Sequence, residues 1–455
     1  MEMILEFLRD VLSQPALLIG IMSCVGLIAL KRPFHKIMTG TLKPILGYLM
    51  LAAGAGVIVS NLDPLGKMIE HGFHITGVVP NNEAIVAVAQ KVLGVETMSI
   101  LVVGLLMNLL IARFTKFKYV FLTGHHSLFM ACLMSAVLGT AGLSGIELIL
   151  VGGFLMGVWS AISPAIGQSY TSKVTDGDEI ALGHFGSLGY YLSAWVAKYV
   201  GKAEESTEDI EIPEKWGFLR DSTLSTALTM IVFYLIAAIA AGSEFVATLS
   251  GSMSPYLFAV MSAMNFAVGV AIVYSGVRMI LGDLIPAFQG IATKIIPNAI
   301  PAVDCAVFFT YAPTAVVLGF ISSFIGGIIG MLILGAVGGV LIIPGLVPHF
   351  FCGATAGIYG NATGGRRGAA VGAFLNGLAI TFLPALALPV LGQLGFQNTT
   401  FGDADFAVMG LVLGNAFEWI GMAGIYGVVV IAALVLIIPN FIKTKGKVIN
   451  YVEEE

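Results

Sequence analysis

Long apolar segments follow one another along almost the whole chain, and they limit it to folds whose surface is solvated mainly by lipid. Only 11% of the 455 residues are charged and the mean hydropathy is +0.94, whereas a soluble domain carries about 25% charged residues. Within a bilayer, only α-helices and closed β-barrels satisfy every main-chain hydrogen bond. The length and spacing of the apolar segments favour helices, so the sequence predicts an all-α polytopic membrane protein.

A helix crosses the bilayer core with roughly 20 apolar residues, and on that measure we predict about eleven transmembrane helices. Several apolar segments are too short to cross alone, and short polar stretches separate them. Such polar stretches predict broken or re-entrant half-helices, because irregular backbone at membrane depth persists only when protein or a wet cavity surrounds it. The apolar segments are 13–30, 37–60, 96–115, 119–139, 143–166, 184–200, 223–249, 255–281, 303–321, 323–343, 367–392, 406–416 and 417–442.

Polar positions of the first half recur 221 residues later in the second half. Pro80 aligns with Pro301 (301 − 80 = 221), and His184-Phe185 aligns with Asp405-Phe406 at the same offset. We therefore divide the chain into a first repeat (1–200), a linker (201–222), a second repeat (223–416), and a last transmembrane helix with a charged cytoplasmic tail (417–455).

The basic residues of the two repeats lie in different loops. Those between Lys31 and Lys43 correspond to the uncharged stretch 252–264, and Arg366-Arg367 correspond to Gly145-Ile146. Lys and Arg favour cytoplasmic loops, so the two copies have opposite orientations, as in the inverted repeats of many secondary transporters. The same rule predicts an external N-terminus, a cytoplasmic linker and a cytoplasmic C-terminus.

Ionisable residues at membrane depth are the candidates for function, because burying them is costly. Asp304, in NAIPAVDCAVFF, is either an acceptor for substrate hydroxyls or a cap for free main-chain donors at a half-helix end. Glu83, its repeat counterpart, is either a substrate ligand or a solvated loop residue. His125 and His184 follow chain breaks and favour hydrogen bonding over plain packing. His126, Ser127 and Asn82 are assisting candidates, whereas His349 is interpreted as structural.

Several classes of chemistry have no signal in the sequence. There is no GxxxxGK[ST] loop, no GxGxxG motif opening a helix and no nucleophile elbow, so we predict neither nucleotide hydrolysis nor a catalytic residue. The four cysteines are scattered and the adjacent histidines point about 100° apart on a helix, so we predict no metal and no cofactor. A nucleic-acid partner is not expected, and an ion gradient or a partner protein must drive transport.

Several longer motifs resemble those of a known protein family. The segments KVTDG (173–177), TGH (123–125), AVDCA (302–306), LIIPG (341–345) and GGRRGAA (364–370) resemble the ascorbate-type enzyme IIC, the membrane permease subunit of the bacterial phosphoenolpyruvate-dependent phosphotransferase system. The resemblance implies an inner-membrane homodimer of eleven-helix protomers, each with a core domain and a V-shaped scaffold domain. It implies elevator-like transport, with the substrate phosphorylated by a separate IIB protein that IIA supplies, and no phosphoryl-carrying residue on this chain.

Carried over position by position, the family's substrate contacts correspond to Asn82, Glu83, His125, His126, Ser127, Phe129, His184, Phe185 and Asp304. Members that act on ascorbate have Thr-Tyr in place of Asn82-Glu83 and Gln in place of Phe129 and Phe185. Ascorbate is the substrate implied by the family, and these differences leave a neutral sugar or polyol as an alternative. An ion-coupled secondary transporter of a small polar solute is the alternative outside the phosphotransferase system.

Overall fold

Helices make up most of the computed structural model, which describes residues 11, 14–74, 77–78, 80, 82–210, 222–392 and 400–441. Three short strands and one 3-10 helix, Cys305–Thr310, interrupt them. In chain order the other elements are α1 Pro15–Ala29, α2 Phe34–Phe73, α3 Asn82–Phe114, β1 Tyr119–Phe121, α4 Gly124–Thr140, α5 Gly145–Thr175, β2 Ala181–Leu182, α6 Ser187–Val200, α7 Ser222–Ala241, α8 Ser243–Ser250, α9 Pro255–Lys294, β3 Ile300–Val303, α10 Pro313–Ala336, α11 Leu346–Gly392, α12 Ala404–Ile420 and α13 Met422–Phe441.

Seven of the described helices are long and apolar enough to cross a membrane: α2, residues Val95–Phe114 of α3, α5, α9, α10, α11 and α13. The pair α7 and α8, which meet at a bend of 117°, makes an eighth if it is one span. The chain is therefore a multi-pass, predominantly helical membrane protein, as predicted. The figure of about eleven helices stays a prediction.

The chain between β3 and α11 differs from the predicted segments. The sequence divides 303–321 from 323–343, but one helix, α10, runs through Pro313–Ala336. Helix α10 begins at Pro313. Proline suits the first turn of a helix, because a main-chain N–H there would have no partner within the helix and proline has none. Residues 346–363, which the sequence interpretation left outside any segment, form the first arm of α11.

Helix α11 contains a sharp turn rather than a straight 47-residue rod. Gly364 and Gly365 have non-helical dihedral angles, and Gly365 adopts φ 59° and ψ −155°. A Cβ placed at Gly360 would collide with the carbonyl of Gly368, so the two arms fold back on each other. The GGRR motif is therefore the turn of a helical hairpin.

Helices α2 and α9 pack closely against each other. Both comprise 40 residues, and their bounds are 221 positions apart (255 − 34 and 294 − 73). Gly47 lies against the carbonyl of Gly276, and Gly54 lies against that of Gly269, so the helices run antiparallel. Small residues allow this close approach of two backbones. Helices α1, α7 and α8 pack on this pair and form one packing group with it. The remaining elements pack mainly with one another and form a second packing group.

The strands form a small parallel sheet in the order β1-β3-β2. Strand β3, from the second half of the chain, lies between two strands of the first half, with Phe121 opposite Ala302 and Leu182 opposite Val303. Because the strands are parallel, the three chain segments that follow them leave the sheet at one edge. These segments carry the candidate residues.

Candidate functional site

The shared edge of the sheet brings three of the predicted site residues together. His125 follows β1, His184 follows β2 and Asp304 follows β3. His125 Nε2 lies 3.3 Å from Asp304 Oδ2, and all three residues line one cavity of about 720 Å³. Positions that are 179 residues apart along the chain (304 − 125) thus form a single polar cluster.

Asp304 caps a helix end, as one of its two interpretations expected, and its role as a substrate acceptor stays a prediction. Its side-chain oxygen Oδ1 accepts a hydrogen bond from Ala306 N at 3.0 Å, which caps the 3-10 helix. Its other oxygen, Oδ2, faces His125. The residue is only 7% exposed, so it has little contact with solvent outside the cavity.

A tyrosine of α2 extends this pair. Tyr48 Oη lies 3.1 Å from His125 Nδ1. When Asp304 is ionised, its carboxylate only accepts hydrogen bonds. A neutral His125 ring would then carry its proton on Nε2, facing Asp304, and would accept from the Tyr48 hydroxyl at Nδ1. Helices α2 and α4 belong to different packing groups, and this bond joins them. The sequence interpretation missed Tyr48, since it sits inside a long apolar helix.

His126 and His184 form a second, deeper pair. Their ring centroids are 3.8 Å apart, and both residues are buried. Two groups of side chains here could bind a metal ion, and in each group the potential ligand atoms lie within 4.8 Å of one another. One group is His126, His184 and Asp403, and the other is His184, Asp304 and Cys305. The expectation of no metal therefore depends on the protonation of these rings.

Asp403 is a site residue that the sequence interpretation did not name. It accepts hydrogen bonds from Asn82 Nδ2 at 2.6 Å and from Cys352 Sγ at 2.9 Å, while Asn82 Oδ1 accepts from Gly402 N at 2.9 Å. Asn82 therefore links the start of α3 to the chain before α12. The polar stretch 403–405, which lies between apolar segments, is the sequence feature that could have identified Asp403.

Asp405 holds the segment that carries His184. Its carboxylate is fully buried and accepts from Ser187 Oγ at 2.7 Å, Leu188 N at 2.9 Å and Trp159 Nε1 at 3.1 Å. Its own main-chain N–H donates to Phe185 O at 2.9 Å. The first turn of α6 is thus capped by a residue from the other half of the chain.

The remaining predicted residues have different positions. Phe129 lines the cavity, whereas in the described structure the Phe185 ring is fully buried, stacks on Phe121 at 4.6 Å and lies outside the cavity lining. Ser127 Oγ donates to Thr123 O at 3.3 Å, within the start of α4. Glu83 belongs to α3, and its side chain lies outside the described residues.

His349 does not line the cavity, although Phe324 and Pro348 beside it do. Its Nδ1 lies 2.9 Å from Ser323 Oγ, and the ring packs edge-on against Phe324. It joins α11 to α10, which agrees with a structural interpretation.

Comparison with known proteins adds two findings. Residues 10–405 match the family described as the PTS system sugar-specific permease component. The chain is also 26% identical over 417 residues to a protein of Mycoplasma pneumoniae named ascorbate-specific PTS system EIIC component. This match covers 78% of the chain and 62% of that relative's length.

Proposed function

Since the chain belongs to the family of PTS sugar-specific permease components, we propose that it binds and translocates ascorbate or a related sugar across the bacterial cytoplasmic membrane. The observation that carries the proposal is the polar cluster at the edge of the sheet. His125, Asp304 and Asp403 offer donors and acceptors for hydroxyl groups in a cavity whose other walls are largely apolar. Few, well-placed polar groups in an apolar pocket are typical of small-molecule sites.

The name of the Mycoplasma pneumoniae relative supports ascorbate as the substrate. Phe129 favours the alternative, a neutral sugar or polyol. Its ring lies beside the rings of His125 and His126, with centroids 5.8 and 5.7 Å away. An aromatic face stacks on the C–H face of a sugar ring and offers no partner to an additional hydroxyl.

We propose that translocation is an elevator-like movement of a core domain, which carries the polar cluster, against a scaffold domain that contains α2 and α9. The two packing groups of helices support this division. The equal lengths and antiparallel contact of α2 and α9 support the inverted repeat. The homodimer and the external N-terminus rest on the family resemblance and on the basic loops.

We also propose that a phosphorylated IIB protein, supplied by IIA, transfers its phosphoryl group to the substrate at the cytoplasmic face. In that mechanism this chain binds and presents the substrate hydroxyl and carries no phosphoryl group itself. The exposed Arg366 and Arg367 at the turn provide positive charge on the face that we assign to the cytoplasm.

Binding to the purified protein tests the substrate, with ascorbate compared against a panel of neutral sugars and polyols. We expect saturable binding of one class, and no binding of either class would contradict the proposal. Uptake into vesicles tests the mechanism. Phosphorylated product inside, dependent on IIA and IIB, is the expected result, whereas unmodified solute accumulated by an ion gradient would favour the secondary transporter.

A further inference from the structure

The cavity extends along helix α2, from the polar cluster to a group of exposed charges. Tyr48, at the cluster, is 6% exposed, whereas the side chains of Asp63 and Lys67 are 61% and 53% exposed. All three residues line the cavity. Lys67 follows Tyr48 by 19 residues (67 − 48) of the same helix, which is about 28 Å along a helix axis. The cavity therefore has a buried inner end at Tyr48 and an open mouth at Asp63 and Lys67.

The charged groups at the mouth follow the spacing of one helix face. Lys67 Nζ lies 2.8 Å from Asp63 Oδ2, four residues earlier, and Glu70 follows three residues later. Residues three and four apart are neighbours on a helix surface, so the lysine lies between two carboxylates. Glu70 also lines the cavity. When all three side chains are ionised, the mouth has a net negative charge.

The inner end of the cavity adds further carboxylates, those of Asp304 and Asp403. In the described lining, four carboxylates therefore face a single lysine, and the other groups there that can become positive are the histidines of the inner cluster. Apolar walls of low dielectric constant focus the field of such charges into the cavity. An anion that approaches the mouth is therefore repelled unless Lys67 offsets the carboxylates.

On the basis of the proposed function, we propose that Lys67 determines specificity for charge, by admitting an anionic solute such as ascorbate to this cavity. Ascorbate is a monoanion at neutral pH, whereas sugars and polyols are uncharged, so the lysine acts on the first class and not on the second. Basic residues precede α2 and predict a cytoplasmic start for it. The mouth then lies towards the external face, where the solute enters. Lys67 acts through its charge on the approaching solute and needs no contact with it in the buried cluster.

A cysteine inside the cavity tests this filter without substrate. Ala52 lines the cavity between the mouth and the cluster, and Ala52→Cys can react with methanethiosulfonate reagents of similar size, one anionic and one cationic. Adding Lys67→Gln should slow the anionic reagent and speed the cationic one by about threefold each, so that their ratio changes about tenfold at low salt. Reaction of the protein without Ala52→Cys, which has four free cysteines, is subtracted.

Lys43→Gln is the matched control. It removes the same charge from the same helix, at a lysine that pairs with Asp283 outside the cavity lining, and it should leave the ratio of reagent rates unchanged. Lys67→Arg keeps the charge and should keep the wild-type ratio. An unchanged ratio in Lys67→Gln, or an equal change in Lys43→Gln, would overturn the proposal.

Association rates of the solutes complete the test. In Lys67→Gln, ascorbate should bind about threefold more slowly, neutral polyols should bind as in wild type, and high salt should reduce the difference. Equal slowing of both classes would overturn the proposal, because it would show a change of shape rather than of charge. If wild-type protein binds neither class, the proposed function fails, while the two reagents still decide whether Lys67 filters charge.

Discussion

Single residues at the cavity serve two purposes at once. Asp304 caps the 3-10 helix with one oxygen and faces His125 with the other. Asn82 holds Asp403 with its amide nitrogen and Gly402 with its amide oxygen. Loss of such a residue changes both the shape of the site and its hydrogen bonds, so conservative substitutions are the informative ones.

Asp304→Asn keeps the shape of the side chain and removes its charge. We expect substrate binding to weaken by about 1–3 kcal/mol, the cost of losing a charged hydrogen-bond acceptor in a buried site. Calorimetry or a thermal-shift titration measures this. Asp283→Asn is the control, because Asp283 pairs with Lys43 at 3.6 Å outside the cavity lining. Unchanged affinity of folded Asp304→Asn protein would remove Asp304 from the site.

Phe129→Gln tests the aromatic wall of the cavity. A glutamine there can donate to and accept from an additional substrate oxygen, so affinity for ascorbate should rise by about tenfold relative to a neutral polyol. Competition binding measures the ratio. Phe185→Gln should instead lower the midpoint of thermal unfolding, because its ring is fully buried and a buried amide without partners is costly. An unchanged ratio in Phe129→Gln would show that the ring does not select substrate.

The sequence predicts residues whose polarity conflicts with their surroundings, and it is less informative about contacts. His125, His184 and Asp304 could be found because each is a polar residue beside a break in apolar sequence. Tyr48 could not, since its contact with His125 spans 77 residues and nothing in α2 marks its hydroxyl. Phe185 was placed in the site by the family resemblance, but its ring packs against Phe121, because successive side chains of a turn point in different directions.

At the scale of elements, two joints connect the helices. One is the hydrogen bond from α2 to α4 through Tyr48 and His125, and the other is the turn within α11. The sequence located both ends of α1, α4, α6 and α13 to within about five residues. It missed one end of each of the long helices α2, α3, α5, α9 and α11 by 9 to 21 residues, because these helices continue through polar stretches that resemble loops. It did not predict the three strands or the continuous helix α10, because these depend on hydrogen bonds and packing between residues far apart in the sequence.

Tyr48→Phe removes one hydroxyl that joins the two packing groups and leaves the ring in place. One such bond is worth about 0.5–1.5 kcal/mol, so the balance between conformations in which the groups contact or separate should shift by about two- to tenfold. Initial uptake rates should change by that factor, while equilibrium affinity changes less. Tyr234→Phe is the control, since its hydroxyl bonds to Asn61 O within one group. Equal rates in both variants would contradict the coupling.

Gly365→Ala tests the turn of α11. The residue adopts φ 59° and ψ −155°, a region that glycine alone occupies easily, and an added Cβ would meet the carbonyls of Lys202 and Glu205. We expect a loss of about 1–3 kcal/mol of stability from the backbone strain, seen as a lower unfolding midpoint in detergent. Gly56→Ala, in open space on α2, should be neutral or stabilising. Equal midpoints would mean that the turn relaxes freely.

At the scale of the whole molecule, the charge pattern predicts orientation. The exposed Ala203 lies in the linker and the exposed Ser252 follows α8, on what we expect to be opposite faces. In intact cells, an impermeant thiol reagent should label Ser252→Cys and not Ala203→Cys. The unsubstituted protein, with its four free cysteines, gives the background. Labelling of Ala203→Cys from outside would contradict both the orientation and the inverted repeat.

The position of β3 between β1 and β2 has a consequence for biosynthesis. When only the first half of the chain has been made, β1 and β2 lack β3, the strand that lies between them in the folded protein. Asn82 and Ser187 likewise await Asp403 and Asp405. Polar groups at membrane depth therefore remain without their native partners until β3, and then Asp403 and Asp405, have been made. Assembly of the site is thus a late, post-insertional event, and a truncated nascent chain is a natural target for membrane quality control.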